Sequence, residues 1–532
     1  MNKNSKLFTL LSSLIAVSCL SGCDFGNKGG KTSNEPDLSK EITTPINVDS
    51  AYKRFDIDKK ADYPLVGFGA QMDTDIFMPW NNMSPEDEAI WEKRIKEMNI
   101  KYTRIKYYPE FCERANDNDD PDVFDYNSPN VEMNCAEMQA LYKVLDLCEK
   151  YSIKVDFSIY GCYNTFKSYD GKINGSWLAD NSDEVKNEWA IAPKDYDEYA
   201  ENVVMVVKYL MDVKHYTCIW GISNISEMFI DKNHTKSWDA FVECSRIIDA
   251  KMKKEGIRDK VKLFGSSEAA NSTMYYREEF ESVKDIFDVC ATGNYNWDYQ
   301  CDNDSIYNYF EEQIETMKYY GKKDYAISEF CQGKHFIDAV NKTDIDDYSA
   351  GLYIARFCIE ASKAGVTAFD HYILGDTFFT NSYVHTMGLW MYRDSNVAHP
   401  GYISWAAHPE YYFYTMMSRY TDRGAYCYQF KEQLESQYAD PDGDLSVCAF
   451  KLADGKWTYF LANKGTSQKK VALVNPQGGR PGSMSCYKIT ESGIPEDRNC
   501  DMIESFKSVN ASNGVCYVTV PANGMLTISD RF

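Results

Sequence analysis

Between residues 63 and 424, short apolar runs alternate with longer stretches whose apolar residues recur every three or four positions. The short runs, at 65–71, 102–106, 154–159, 217–222, 262–265, 289–292, 324–328 and 366–369, predict eight buried strands. The amphipathic stretches predict helices at 135–151, 195–213, 237–255, 305–320 and 346–364, with one more opened by Ser84-Pro85-Glu86-Asp87. That opening places a hydroxyl at the N-cap, proline in the first turn and acids beside the positive helix end. Gly256, Gly321 and Gly365 mark helix ends. Eight strands that alternate with helices predict an α/β fold, a (β/α)8 TIM barrel over residues 45–424. A doubly wound sheet would need a phosphate loop after its first strand, and Leu65-Val66-Gly67-Phe68-Gly69-Ala70 has no GxGxxG.

Past Gly424 the period changes. Segments at 446–452, 457–461, 470–474, 486–490, 515–520 and 525–529 alternate apolar and polar positions and are separated by turns such as Asp440-Pro441-Asp442-Gly443-Asp444. They predict a C-terminal antiparallel β-sandwich over 425–532, to which Ile46-Asn47-Val48-Asp49 is expected to add a strand.

The first residues read differently. Lys3 and Lys6 precede an apolar stretch at 7–20 that is too short to span a bilayer. It ends in Leu20-Ser21-Gly22-Cys23, which resembles the lipobox of bacterial lipoproteins. The resemblance implies a signal peptide at 1–22, a lipid on Cys23 and a flexible tether at 23–44. The expected location is therefore outside the cytoplasm, on a bacterial membrane or the cell surface, with membrane contact only through the lipid. Of 17 cysteines, most lie inside apolar patterns and are expected to be free thiols, since no CxxC pair or Cys/His spacing marks a zinc site.

Charge removes several partners. A net charge of −23 repels nucleic acid and anionic membrane. Forty tyrosines and ten tryptophans supply flat faces on which sugars stack. The expected partner is an oligo- or polysaccharide. No cofactor or metal is expected, and the protein is expected to be a monomer. The run Asp117-Asn118-Asp119-Asp120 lacks an EF-hand's glycine and terminal glutamate and reads as a solvated loop.

Two strand ends carry candidate chemistry. Trp220-Gly221-Ile222-Ser223-Asn224-Ile225-Ser226-Glu227 and Tyr325-Ala326-Ile327-Ser328-Glu329-Phe330 both close an apolar run on a glutamate. At the C-terminal ends of two barrel strands such carboxylates face one another across the mouth. A facing pair is the minimum needed to hydrolyse a glycosidic bond.

The chain resembles retaining glycoside hydrolases built on (β/α)8 barrels with a C-terminal β-sandwich, above all families thirty and thirty-nine. Ser328-Glu329-Phe330 matches the segment that holds their nucleophile, and Tyr102-Thr103-Arg104-Ile105 matches the arginine that keeps it ionised. Tyr295 or Trp297 matches their sixth-strand contact. The resemblance implies cleavage of a β-linked glycan by double displacement, with Glu329 as nucleophile and Glu227 as acid/base. One departure stands out: the acid/base glutamate normally follows an asparagine directly, and here Ile225 and Ser226 intervene. Either a bulge carries Glu227 into place and frees Asn224 for the sugar's 2-hydroxyl, or Ser226 replaces the asparagine, or the site is degenerate. Glu268 is a fallback acid. Degeneracy would leave a non-catalytic, glycan-binding surface lipoprotein. Trp80 and Trp297 are expected to stack on sugar rings or to anchor their loops, and Asp73, Asn164, Tyr372 and His371 to bind hydroxyls, with a hydrogen-bonded core histidine the other reading of His371.

Overall fold

The computed structural model describes residues 46–163, 167–172, 175–179, 191–225, 238–265, 281–295, 303–331, 347–380, 383–385, 387–391, 405–434, 442–477, 483–495 and 502–531. The lipobox cysteine Cys23 and the tether lie outside them. No described helix is long and apolar enough to cross a membrane.

A first strand, β1 (Lys53–Lys60), precedes the barrel. The barrel strands follow as β2 (Gly67–Ala70), β3 (Tyr102–Tyr107), β4 (Lys154–Ile159), β5 (Ile219–Ser223), β6 (Lys262–Leu263), β7 (Val289–Asn294), β8 (Asp324–Phe330) and β9 (Ala368–His371). All pair in parallel, in the order β6-β5-β4-β3-β2-β9-β8-β7. A parallel bridge between Phe264 and Val289 joins the two ends, so the sheet closes on itself. The described helices are α1 (Pro85–Met98), α2 (Ala136–Tyr151), α3 (Tyr196–Asp212), α4 (Trp238–Lys254), α5 (Asn303–Tyr319), α6 (Tyr348–Ala364) and α7 (Pro409–Arg419). Each follows a barrel strand, as a parallel sheet with short crossovers demands.

Local chemistry sets the ends. Ser84 and Asp87 form a reciprocal capping box, with Asp87 N donating to Ser84 Oγ at 3.1 Å and Ser84 N to Asp87 Oδ2 at 3.0 Å. Gly365 closes α6 at φ 117°, while Asn99 and Ser152 take the same left-handed role after α1 and α2 without being glycine. Gly69 is required by packing, because a Cβ there would lie 1.6 Å from the Tyr102 carbonyl oxygen.

A hairpin, β10 (Thr377–Thr380) and β11 (Tyr383–His385), follows the barrel. Then come β12 (Tyr426–Glu432), β13 (Leu445–Lys451), β14 (Trp457–Asn463), β15 (Lys469–Val474), β16 (Ser483–Ile489), β17 (Ser505–Asn510), β18 (Val515–Val520) and β19 (Gly524–Ser529). With β1 they form one nine-stranded sheet, ordered β17-β16-β19-β14-β13-β12-β1-β15-β18 and antiparallel except where β1 meets β15. Its central strands β13 and β14 are buried on both faces. On β13, Val447 and Ala449 face the sheet's own core, while Cys448 and Phe450 join the barrel's. The added N-terminal strand lies at Lys53–Lys60, a little later than the expected segment at 46–49. Charge hides it: Phe55 and Ile57 pack inward while lysines and aspartates alternate outward. The thirteen described cysteines are all free, and all but Cys135 are buried.

Candidate active site

Tyr102, Arg104 and Lys106 share one face of β3 because side chains alternate along a strand. Between β3 and β8 lie β2 and β9, so a contact between those two strands must cross the barrel's interior. Arg104, fully buried, makes that contact: its Nη1 lies 2.5 Å from Glu329 Oε1. Arg104 Nε donates to Ser158 Oγ at 2.9 Å, and Nη2 donates to the Tyr160 hydroxyl. The Tyr160 hydroxyl in turn donates to Glu329 Oε1 at 2.6 Å, and that of Tyr295 donates to Oε2 at 2.6 Å. Both carboxylate oxygens are therefore held by donors, and the carboxyl plane is fixed.

Burial by itself would push the Glu329 carboxyl up. The Arg104 and Lys106 charges, aided by the Tyr160 and Tyr295 hydroxyls, outweigh it and hold the group at about 2. The acids below are different. Burial raises Asp156 to about 6 against the pull of Arg104 and the Ser223 hydroxyl, which donates to its oxygens at 2.7 and 2.8 Å. Burial also drives Asp370 well above the usual carboxylate range, though it accepts Arg104 N at 3.2 Å. Asp370 is met by the Arg104 backbone amide, while the guanidinium pairs with Glu329. Lys106 completes the rim, with Nζ 3.8 Å from Asp73 Oδ2 and 3.3 Å from the Tyr372 hydroxyl. Burial tends to lower that ammonium, but Asp73 and Glu329 keep it above the ordinary lysine value.

Glu329, Arg104 and Tyr295 of the expected site thus meet in one cup, together with Asp73 and Tyr372. Tyr160 and Lys106 were missed. Both follow from the period of two, Lys106 from Arg104 and Tyr160 from Ser158, one position beyond the end of β4. Trp80 forms a tilted pair with Tyr169, rings 6.4 Å apart, and Tyr169 is 54% exposed.

Asn224 and His371 face outward, in contrast to the expected sugar contacts. Asn224 is buried against α4, where Oδ1 accepts from Cys244 Sγ at 3.6 Å and Nδ2 donates to Ser245 Oγ at 3.4 Å. Ser223 points inward to Asp156, so its neighbour must point out. The same alternation sends Asp370 in and His371 out, where His371 Nε2 lies 2.9 Å from Glu410 Oε2 on α7. Directly after Asn224, Ile225 is buried with φ 43°, a left-handed conformation that a β-branched residue adopts only under constraint. Asn164, Glu227, Glu268 and Trp297 lie outside the described residues.

Comparison with solved structures identifies the fold. A GH30 endoxylanase from Clostridium papyrosolvens C71 superposes with a TM-score of 0.60 and 13% identity over 90% of this chain and 99% of that one. A conserved exported protein from Bacteroides fragilis gives 0.63 and 13%, over 90% and 100%. A GH39 β-xylosidase from Caulobacter crescentus gives 0.55 and 14%, over 90% and 99%. No family profile and no curated protein matches the sequence. The chain has the fold of family 30 and 39 glycoside hydrolases: a parallel barrel with a separate antiparallel sheet domain.

Proposed function

We propose that this protein is a retaining glycoside hydrolase that cleaves a β-linked oligo- or polysaccharide. The supporting observation is Glu329: a carboxylate at the end of a barrel strand, buried, ionised and oriented by Arg104, Tyr160 and Tyr295. A desolvated carboxylate that keeps its charge is a competent nucleophile. One Glu329 oxygen attacks the anomeric carbon while the glycosidic C–O bond breaks, and Glu227 delivers its proton to the leaving oxygen. Glu227 then takes a proton from water, whose oxygen displaces Glu329 and restores it. Glu268 is the alternative acid.

The test follows product anomers by NMR during hydrolysis of β-glycosides: retention is required, and inversion overturns the reading. In Glu329→Ala, azide should restore turnover and yield the α-glycosyl azide, a product that a purely structural glutamate would not permit. A second reading is glycan binding without turnover, favoured by the outward-facing Asn224 at the place of the usual acid-bearing turn. Saturable glycan binding with no hydrolysis by the native chain would establish it. For the N-terminus we propose cleavage before Cys23 and lipidation of its sulfur. Mass spectrometry of the mature protein tests this, with Cys23→Ala losing the acyl mass.

A further inference from the structure

Away from the mouth, three carboxylates converge. Asp117 lies in the loop after β3, and Glu198 and Glu201 project from the first turns of α3, three residues apart and so on one face. One oxygen from each lies within 4.8 Å of the others, which makes this the one such group among the described residues. Asp117 Oδ1, Glu198 Oε2 and both oxygens of Glu201 are shielded from water and have no hydrogen-bond partner. Glu201 has 0% exposure.

Buried carboxylates ordinarily find donors or a cation. Among the nearby donors, Asn116 reaches the Glu198 carboxylate, and others are committed elsewhere. Asp195 caps α3 and takes the amides of Asp197 and Glu198 at 3.1 and 3.2 Å. Lys251 gives its Nζ to the Pro121 carbonyl at 2.6 Å, and Asn202 donates to Glu113 at 2.9 Å. Asp117 itself is held in position, since its second oxygen accepts from Asp125 N.

We propose that Asp117, Glu198 and Glu201 bind a divalent cation, calcium by preference, that fastens the loop after β3 to α3. Carboxylates are hard oxygen ligands. Oxygens within 4.8 Å of one another fit around an ion with bonds of about 2.3–2.6 Å, longer than magnesium's roughly 2.0–2.1 Å. The fastened loop also carries Tyr108, whose ring centre lies 6.5 Å from that of Tyr160. The ion would therefore steady one wall of the cup around Glu329. The acidic run alone does not announce the site, because two of its three ligands come from a helix that begins at Tyr196.

The test titrates the EDTA-treated full chain with CaCl2, and separately with MgCl2, by calorimetry, alongside thermal unfolding. One saturable calcium site per chain is expected, with weaker magnesium binding and a rise of a few degrees in Tm that EDTA reverses. Glu201→Gln and Asp117→Asn, each folded by circular dichroism, should weaken calcium on the order of tenfold or more. Absence of saturable binding to the native chain overturns the proposal whether or not the variants fold, and shows that protons alone neutralise the cluster. Unchanged affinity in both variants also overturns it, by placing the ion elsewhere. Tighter magnesium than calcium overturns the choice of ion.

Discussion

The two ends of the barrel's interior are built on the same strands and have opposite chemistry. At the N-terminal end, Tyr102, Phe264, Val289, Ala291, Ala326 and Ala368 form an apolar cluster with Trp220 and Val66 packed against it. Two residues further along β3 and β9 the inward positions are Arg104 and Asp370, and at the ends of β4, β7 and β8 they are Tyr160, Tyr295 and Glu329. The lower layer needs only volume and apolarity. The upper one needs particular atoms at particular distances. A change of comparable size should therefore cost stability alone at the bottom, and both stability and chemistry at the top.

That contrast can be broken by substitution. The largest effect is expected from Glu329→Gln, which keeps the shape and removes the nucleophile. Turnover of an aryl β-glycoside should fall on the order of a thousandfold or more. Unchanged turnover sinks the assignment.

Arg104→Leu comes next. It breaks the buried ion pair, leaves Lys106 as the remaining cation near Glu329, and should cost about 3–5 kcal/mol in urea unfolding at pH 7. The pH dependence sharpens this. Because the folded-state carboxyl is depressed to about 2, its contribution to stability is fully present above the ordinary 4.5 and is lost as the pH falls from there toward 2. Arg104→Leu should flatten that acid limb. An acid limb identical to the native protein's would show that Arg104 does not govern the carboxylate.

Tyr160→Phe removes one donor to Oε1 and should lower kcat/KM about tenfold while moving the acidic edge of the rate profile upward. The smallest effect belongs to the bottom layer. Phe264→Leu should cost about 1 kcal/mol and leave kcat/KM unaltered below the melting range. A loss of activity there equal to that of Tyr160→Phe would erase the distinction between the two ends.

Much of the barrel was legible in sequence because its strands are buried on both faces and read as unbroken apolar runs. The chemistry of β3 and β8 was legible for the same reason: a charged residue inside or at the end of such a run has few structural uses. Orientation was harder. Counting by twos from Glu329 fails, because β8 carries a register shift beside Ser328, and a similar shift on β5 lies between Ile219 and Gly221. Asn224 reads as a sugar contact through the resemblance and His371 through its place at a strand end, and alternation turns both toward helices. Tyr160 escaped because it falls one position past its strand. The strand at Lys53–Lys60 escaped because a ribbon with one wet face and four lysines or arginines among eight residues has the texture of a linker.

That same strand joins the two termini of the folded chain. β1 is hydrogen-bonded to β12 on one side and to β15 on the other, a place in the interior of the sheet rather than at its rim. During synthesis its partners do not exist until the barrel has emerged, so the strand must wait, unpaired, for some four hundred residues. A fragment that begins at the first barrel strand would leave β12 and β15 each with a naked edge. Barrel and sheet are expected to melt together, as a ring fastened by its own first link.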